Sequence, residues 1–304
     1  MRQFCQISPA GGIVTIRMFG SHLSIAGGMH HAVTLATSLE FDTVQVFTKN
    51  QQQWKVKPLE PEAIADWINA CKQTKFGVTV AHDSYLINLA SPDDAARAKS
   101  RDLFLEEVRR CDQLAIGFLV THPGAHLGER DNEADELGGI ERIADSLDGV
   151  IKQLKKSKTI VCLESTAGMG TSVGHKLEHL RAIIDRSKFA DRLGVCLDTA
   201  HLFAAGYDFR GSKYKTLCKE IDRTIGLDRV KVWHLNDSKK PLGSRVDRHE
   251  HIGLGTIGDD GFAGIARDKR WKDVPKILET AKEDNDKGVA WDTINLARLK
   301  GMMR

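Results

Sequence analysis

Along the chain, short apolar runs alternate with longer stretches in which apolar residues return every three or four positions. The runs are MFGSHL near 18–23, TVQVFT at 43–48, GVTVAH at 77–82, GFLVTH at 117–122, TIVCLE at 159–164, LGVCLD at 193–198, VKVWH at 230–234 and PKILE at 275–279. They are mostly continuous and β-branched, which predicts parallel strands buried on both faces. Between them the period lengthens. Phe104, Val108, Cys111 and Ala115 recur at near-helical spacing, and Ser91-Pro92-Asp93-Asp94 predicts the cap and first turn of that helix, with Pro92 at the first helical position. Further helices are expected over roughly 27–39, 61–74, 138–156, 174–187, 213–225, 261–268 and 287–302. Eight strands alternating with helices over about 280 residues predict an α/β fold, a (β/α)8 TIM barrel. An open doubly wound sheet is the alternative, but no G-x-G-x-x-G follows the first strand.

Composition narrows the picture only modestly. Residues AVILMFWYC make up 41% of the 304 positions, the profile of a globular protein with a substantial core. No linker or shift in composition divides the chain, so a single catalytic domain is expected over 18–304, behind an N-terminal extension over 1–17. That extension lacks the charged start and apolar centre of a signal peptide. A net charge of +3, from 44 basic and 41 acidic residues, neither requires nor forbids nucleic acid. The six cysteines show no CxxC spacing, and Cys162 and Cys196 sit inside apolar runs, which predicts buried free thiols in a reducing, cytoplasmic compartment. No apolar stretch reaches membrane-spanning length, and a monomer without a membrane partner is expected.

The chemistry sits where the runs stop. The last six strands end in His82, His122, Glu164, Asp198, His234 and Glu279. A barrel brings all carboxyl ends to one face, so six metal-competent groups converge from six strands. Three carboxylates and three imidazoles crowded together would repel or shift each other's pKa values, and divalent cations remove that conflict. Mixed nitrogen and oxygen donors without thiolate suit zinc, and also manganese or iron. His201 lies one turn past Asp198, and Asp247 and His249 are spaced i, i+2 in GSRVDRHEH, so an extended segment puts both on one side. Nine candidate ligands exceed the needs of one four-coordinate ion and fit a cluster of two or three.

The stretches FTKNQQQW, AHDSYLINL, THPGAH, LESTAG, GVCLDTAHLFAAGYD, HLNDSKKPLGSRVDRHEHIGLGTIG and ILET resemble the endonuclease IV family of zinc-dependent apurinic/apyrimidinic endonucleases, on a xylose-isomerase-like barrel. The resemblance spans about residues 18–280. It implies a first zinc on His82, His122 and Glu164, a second on Glu164, Asp198, His234 and Glu279, and a third on His201, Asp247 and His249, with Glu164 as the bridging catalytic residue. It implies cleavage of double-stranded DNA on the 5′ side of an abasic site, leaving a 3′-hydroxyl and a 5′-deoxyribose phosphate, and clearing of blocked 3′ ends. The chemistry is coherent on its own terms. A phosphodiester needs activated water, neutralised oxygens and a stabilised leaving alkoxide, and a metal cluster offers all three.

The same resemblance places the loops after the second and third strands in the minor groove, with Tyr85 and Leu86 pushed into the base stack and Gln51 and Gln52 beside them. At Gln52 an arginine can stand in the family, so this chain carries no charge there. An apolar wedge unstacks DNA at a few kcal/mol per step, and a nucleotide without a base is easier to extrude. Arg245 and Arg248, with Lys239 and Lys240, are candidate phosphate contacts. The basic run KQLKKSK at 152–158 precedes the fifth strand and is expected as solvated surface on the opposite face. His126 and His251 are read as supporting or phosphate-contacting groups, and His30, His31, His175 and His179 as surface or packing residues on helices. Gly253, Gly255 and Gly258 read as a tight loop, not a nucleotide cradle. Two rivals remain: a metal-dependent sugar isomerase or epimerase on the same barrel, which has no need of His201, Asp247 and His249, and a non-catalytic lesion-binding protein.

Overall fold

The computed structural model describes residues 18–74, 76 and 78–303. The expected N-terminal extension, residues 1–17, lies outside them, as does Gly77 at the start of the third apolar run. Eight parallel strands close a barrel: β1 (Phe19–His22), β2 (Thr43–Phe47), β3 (Val80–His82), β4 (Phe118–Thr121), β5 (Ile160–Glu164), β6 (Leu193–Asp198), β7 (Val230–His234) and β10 (Lys276–Leu278). Each lies within the apolar run that predicted it. Neighbours follow chain order, and β10 closes onto β1, pairing Phe19 with Lys276. A short antiparallel pair, β8 (Asp237–Ser238) and β9 (His249–Glu250), stands apart from the barrel. The hydrophobic pattern gave no sign of it, because two-residue strands carry no readable period.

Side chains on a strand alternate between faces, so every second residue points into the barrel. Val80, Val120, Cys162, Cys196, Val232 and Ile277 form one apolar plug there. Two residues further along each of the same strands stand His82, His122, Glu164, Asp198, His234 and Glu279. The dry plug supports a polar mouth, and the period of two builds both. The plug's cysteines are free, as are Cys71, Cys111 and Cys218.

Helices α1 (Met29–Ser38), α2 (Pro61–Thr74), α3 (Asp94–Gln113), α4 (Glu133–Ile151) and α5 (Leu177–Arg186) cover the first five strands. They are followed by α6 (Thr199–Ala205), α7 (Tyr214–Thr224), α8 (Asp259–Arg267) and α9 (Trp291–Met302). A second core between helices and barrel buries Trp67, Phe104, Leu147, Leu180, Ile221 and Phe262. No helix among the described residues is long and apolar enough to cross a membrane.

Several helix starts differ from expectation, each for a local reason. In α3 the cap is Asp93, whose carboxylate accepts from Ala96 N at 2.8 Å, so Pro92 lies outside the helix. Ala115 also falls outside, in a left-handed turn with φ 53°. α4 begins five residues before the expected 138 because Asn132 caps it, accepting from Ala134 N and Asp135 N. α5 begins at Leu177 because Gly174 has φ +103° and Lys176 is extended, which leaves His175 off the helix. α6 was not expected; Asp198 caps it, accepting from His201 N at 2.8 Å.

Candidate metal centre

Glu164, at the tip of β5, has 0% exposure and lies at the middle of the mouth. Its Oε2 is 3.0 Å from His82 Nε2 and 3.0 Å from His122 Nε2. Its Oε1 is 2.9 Å from His234 Nδ1, which in turn lies 3.1 Å from Glu279 Oε2. Asp198 stands next, its Oδ2 3.9 Å from His234 Nδ1 and 3.8 Å from His249 Nε2. Asp247 closes the row, 3.2 Å from His201 Nε2 and 3.1 Å from His249 Nε2. Three groups of nitrogen and oxygen donors thus have ligand atoms within 4.8 Å of one another: His82, His122 and Glu164; Glu164, Asp198, His234 and Glu279; and Asp198, His201 and His249; the Cys196 thiol also comes within that distance of Glu164 and His234. All nine expected ligands come together. Glu164 is common to the first two groups. Asp198 is common to the last two, a second shared carboxylate that sequence reasoning did not single out.

Tetrahedral ligands about 2.0–2.2 Å from an ion stand roughly 3.3 Å apart, close to the separations above. The imidazole tautomers agree. His82 donates its Nδ1–H to Asp83 O at 3.0 Å and His201 donates Nδ1–H to Ser165 O at 2.8 Å, leaving both Nε2 lone pairs aimed inward. His234 is reversed: Nε2–H donates to Gln45 Oε1 at 2.9 Å and Nδ1 faces the carboxylates. His249 Nε2 is buried and, although 3.1 Å from Asp247 Oδ1, has no hydrogen bond of good geometry. Such outer hydrogen bonds fix tautomer and ring orientation at metal sites. Donor set, spacing and this orphaned nitrogen fit divalent ions.

Without ions, protons fill the role. Burial opposes charge on His82, but the hydrogen bond to Glu164 and that carboxylate's charge outweigh it and push the imidazole up to about 9. Burial is likewise overcome at His249 by Asp198 and Asp247, again up to about 9. Glu164 and Glu279 would be raised by burial, yet the charge on His234 and its neighbours holds both well below the ordinary carboxylate range.

A family profile described as a xylose isomerase-like TIM barrel matches residues 33–298. A probable endonuclease 4 of Geobacter sulfurreducens is 47% identical over 287 residues, covering 94% of this chain and 94% of its own. The crystal structure of endonuclease IV from Thermus thermophilus superposes with a TM-score of 0.80 at 32% identity, over 94% of this chain and 98% of that one. The chain belongs to the endonuclease IV family. It is a nuclease of DNA repair by that membership. A D-tagatose 3-epimerase-like protein superposes with a TM-score of 0.71 at 17% identity, over 94% of this chain and 97% of that one, a likeness of fold alone.

Around the endonuclease IV centre, Asn236 donates Nδ2–H to Asp198 Oδ2 at 2.6 Å and accepts from Glu279 N at 2.8 Å. Gln45 and His22 complete the mouth on β2 and β1, and both approach Glu279, at 2.6 and 3.2 Å. Sequence reasoning missed them: His22 ends β1, and Gln45, its register partner, lies in the middle of β2. The GLGTIG loop wraps the fully buried Asp237: its carboxylate accepts from the backbone N–H groups of Ser238, Gly253, Gly255, Ile257 and Gly258. A Cβ on Gly255 would sit 2.4 Å from Ser238 O, so close approach demands glycine. This cradle holds an internal carboxylate and anchors β8, which pairs with β9 and so delivers His249.

The expected DNA-facing residues divide. Tyr85 stands 72% exposed, its ring 5.7 Å from Phe47, while Leu86 is half-buried against the core. Gln52 is exposed; Gln51 is half-buried and tied through its carbonyl to Ser84 Oγ at 2.9 Å. Arg110, donating to Thr48 O at 2.6 Å, stiffens this loop from behind. Arg248 is exposed at the mouth, whereas the Arg245 guanidinium is engaged by Asp131 and His175. A cavity of about 350 Å³ opens beside His82, His122, His201 and Asp247, walled by Tyr85 and Met169. A larger one, about 740 Å³, lies at the opposite end of the barrel among Lys152, Lys155, Lys156 and Lys158, the run expected there.

Among the remaining histidines, His175 departs from the helix expected for it, whereas His179 is a buried residue of α5. His175 is in a loop, and with His179 and Glu136 it forms a second buried group of metal-competent side chains. His126 is buried and accepts from Gly128 N at 3.2 Å, and His251 stacks on Trp291 at 4.1 Å.

Proposed function

We propose that the chain hydrolyses the phosphodiester on the 5′ side of an abasic site in double-stranded DNA, leaving a 3′-hydroxyl and a 5′-deoxyribose phosphate, and also clears blocked 3′ ends. It does so as a cytoplasmic monomer with three zinc ions, for which manganese or iron can substitute. The observation that carries the reading is the row of three ligand groups joined through Glu164 and Asp198 at the barrel mouth. A sugar epimerase has no call for the third group. The donors of these three groups are nitrogen and oxygen, as suits zinc.

His82, His122 and Glu164 would hold the first ion, Glu164, Asp198, His234 and Glu279 the second, and His201, Asp247 and His249, with Asp198 adjoining, the third. Ions held there supply Lewis acidity towards the phosphodiester and a source of hydroxide at neutral pH. Glu164 directs one oxygen to each of its two groups and thereby sets their spacing. Asn236 and His201 N hold both oxygens of Asp198 in place. Tyr85 projects beside the cavity, where it enters the stack next to an extruded abasic nucleotide. Gln51, Gln52 and Leu86 shape the loops that follow the groove, and Arg248 contacts phosphate.

The test is incubation of the purified protein with a duplex carrying one abasic site, with product ends resolved on a sequencing gel and zinc counted by elemental analysis of the same sample. The expected result is one cut 5′ to the lesion and three zinc ions per chain. An intact lesion strand with zinc supplied, or equal cutting of undamaged duplex, would refute the proposal.

A further inference from the structure

Arg245 lies two residues before Asp247, yet its side chain turns away from the metal centre. Its Nη1 donates to both oxygens of Asp131, at 2.7 and 2.9 Å, and its Nη2 donates to His175 Nε2 at 2.9 Å. The His175 tautomer is set by its Nδ1–H, which donates to Ser172 O at 3.0 Å. Behind His175 stands Glu136 on α4, 3.6 Å from its Nε2, held by Lys176 Nζ at 2.7 Å and His179 Nε2 at 3.2 Å.

The group Glu136, His175 and His179 has metal-ligand spacing, but its valences are already filled. Gly174 N donates to His179 Nδ1 at 3.3 Å, so the proton sits on Nε2, the nitrogen that faces Glu136. The His175 lone pair is taken by Arg245. The cluster therefore acts as a strut of hydrogen bonds between α4, the start of α5 and the segment 243–249.

The backbone on both sides of this clamp is strained. Among the described residues five non-glycine positions have positive φ, and two of them are Asp131 at 61° and Arg245 at 53°. Such conformations persist only where the surroundings over-determine them. At Arg245 they do: its N–H donates to Ala204 O at 2.9 Å, Gly243 N donates to Phe203 O at 3.0 Å, and the guanidinium is clamped. Phe203 and Ala204 belong to α6, which carries His201. Gly168, with φ +75°, leaves room: a Cβ there would stand 3.1 Å from His175 and 3.2 Å from Arg245 Nε.

We propose that Arg245 is a positioning residue for the third ion of the cluster, its clamp on Asp131 and His175 holding segment 243–249 so that Asp247 and His249 face His201 before any ion arrives. This inference rests on the three-ion reading above. It assigns Arg245 to the protein's own framework rather than to DNA phosphate.

The test compares Arg245→Ala, Arg245→Lys and Asp131→Ala with the wild-type chain. Asp131 is exposed, distant in sequence and not a ligand, so its truncation opens the clamp at a site remote from the ligands. Zinc affinity is read by equilibrium dialysis against chelator-buffered zinc chloride with elemental analysis, and hydrogen exchange of residues 241–250 is followed in the metal-free proteins. Loss of partners behind metal ligands costs about 10–100-fold in affinity. The expected result is that loss, for one zinc of three, in Arg245→Ala and Asp131→Ala, with faster exchange of 241–250 and partial recovery in Arg245→Lys. A wild type with three zincs and variants that bind all three as tightly overturns the clamp alone. So does an Asp131→Ala protein with normal zinc binding, even if Arg245→Ala binds DNA weakly. A wild type that never takes a third zinc overturns the three-ion reading and this inference together.

Discussion

Gln45 offers the sharpest test of how the centre is built, because it touches two candidate ligands from a fully buried position. Its carbonyl accepts the His234 Nε2–H at 2.9 Å, and its amide donates to Glu279 Oε1 at 2.6 Å. Gln45→Ala removes both bonds at once. The His234 N–H is left buried without a partner, at a cost of about 1–3 kcal/mol. The imidazole also loses the contact that keeps its lone pair on Nδ1, facing Glu164. With 1.4 kcal/mol per tenfold, that penalty corresponds to roughly 5–150-fold weaker binding of the ion between Glu164, His234 and Glu279, in line with the 10–100-fold typical of such outer partners. The assay is chelator competition for zinc, with elemental analysis of the dialysed protein and circular dichroism as the folding control. Gln45→Glu is the counterpart. It sets a second carboxylate against Glu279, so it should destabilise the metal-free protein more than the zinc-loaded one. Wild-type zinc affinity and full zinc content in Gln45→Ala would refute the argument that this amide orients His234.

Glu164→Ala should abolish nicking of an abasic duplex and lower zinc content while the barrel stays folded; retained turnover would remove Glu164 from the bridging role. Tyr85→Ala, at an exposed position, should weaken binding to abasic duplex by gel shift more than it slows single-turnover cleavage of bound duplex, and the opposite pattern would rule out a wedge. Asp237→Ala strands five backbone donors of the 253–258 loop and Ser238, so stability should fall by about 4 kcal/mol or more in urea unfolding; a change within about 0.5 kcal/mol, as for ordinary surface substitutions, would mean the cradle does not anchor the loop. In the metal-free protein His82 and His249 titrate at about 9, above the ordinary 6.5, and burial pushes Asp83 up to about 8. A histidine raised on folding gives stability that is whole below 6.5 and lost as pH climbs through about 9, and Asp83 adds in the same direction. The melting temperature without zinc should therefore fall between pH 6.5 and 9 while zinc affinity rises, because ions must displace those protons. A flat or rising melting temperature across that window contradicts the assignment.

Much of this centre was legible in one dimension. Strand side chains alternate, so an apolar residue followed two positions later by His, Asp or Glu at the end of a run marks a ligand above the plug: Val80 then His82, Cys162 then Glu164, Ile277 then Glu279. The rule does not reach His22 and Gln45, which share a register on β1 and β2. Gln45 is not a metal ligand by type, and His22 stands before a further apolar residue. The opposite failure befell His175. Its segment reads as helix, but the positive φ of Gly174 delays α5 and leaves the imidazole free to meet Glu136 and Arg245.

The amino-acid sequence by itself determined the barrel, the face that carries the chemistry and the nine side chains that gather there, because periodicity and residue type are local properties. Only the tertiary structure decided that Asp198 adjoins two groups, that Asp237 is wrapped by the glycine loop, and that Arg245 turns to Asp131 rather than to the mouth. Those choices depend on partners up to 114 residues apart, as between Asp131 and Arg245. No spacing rule reaches that far: which donor meets which acceptor is settled by helix packing and by the requirement that buried polar groups find partners.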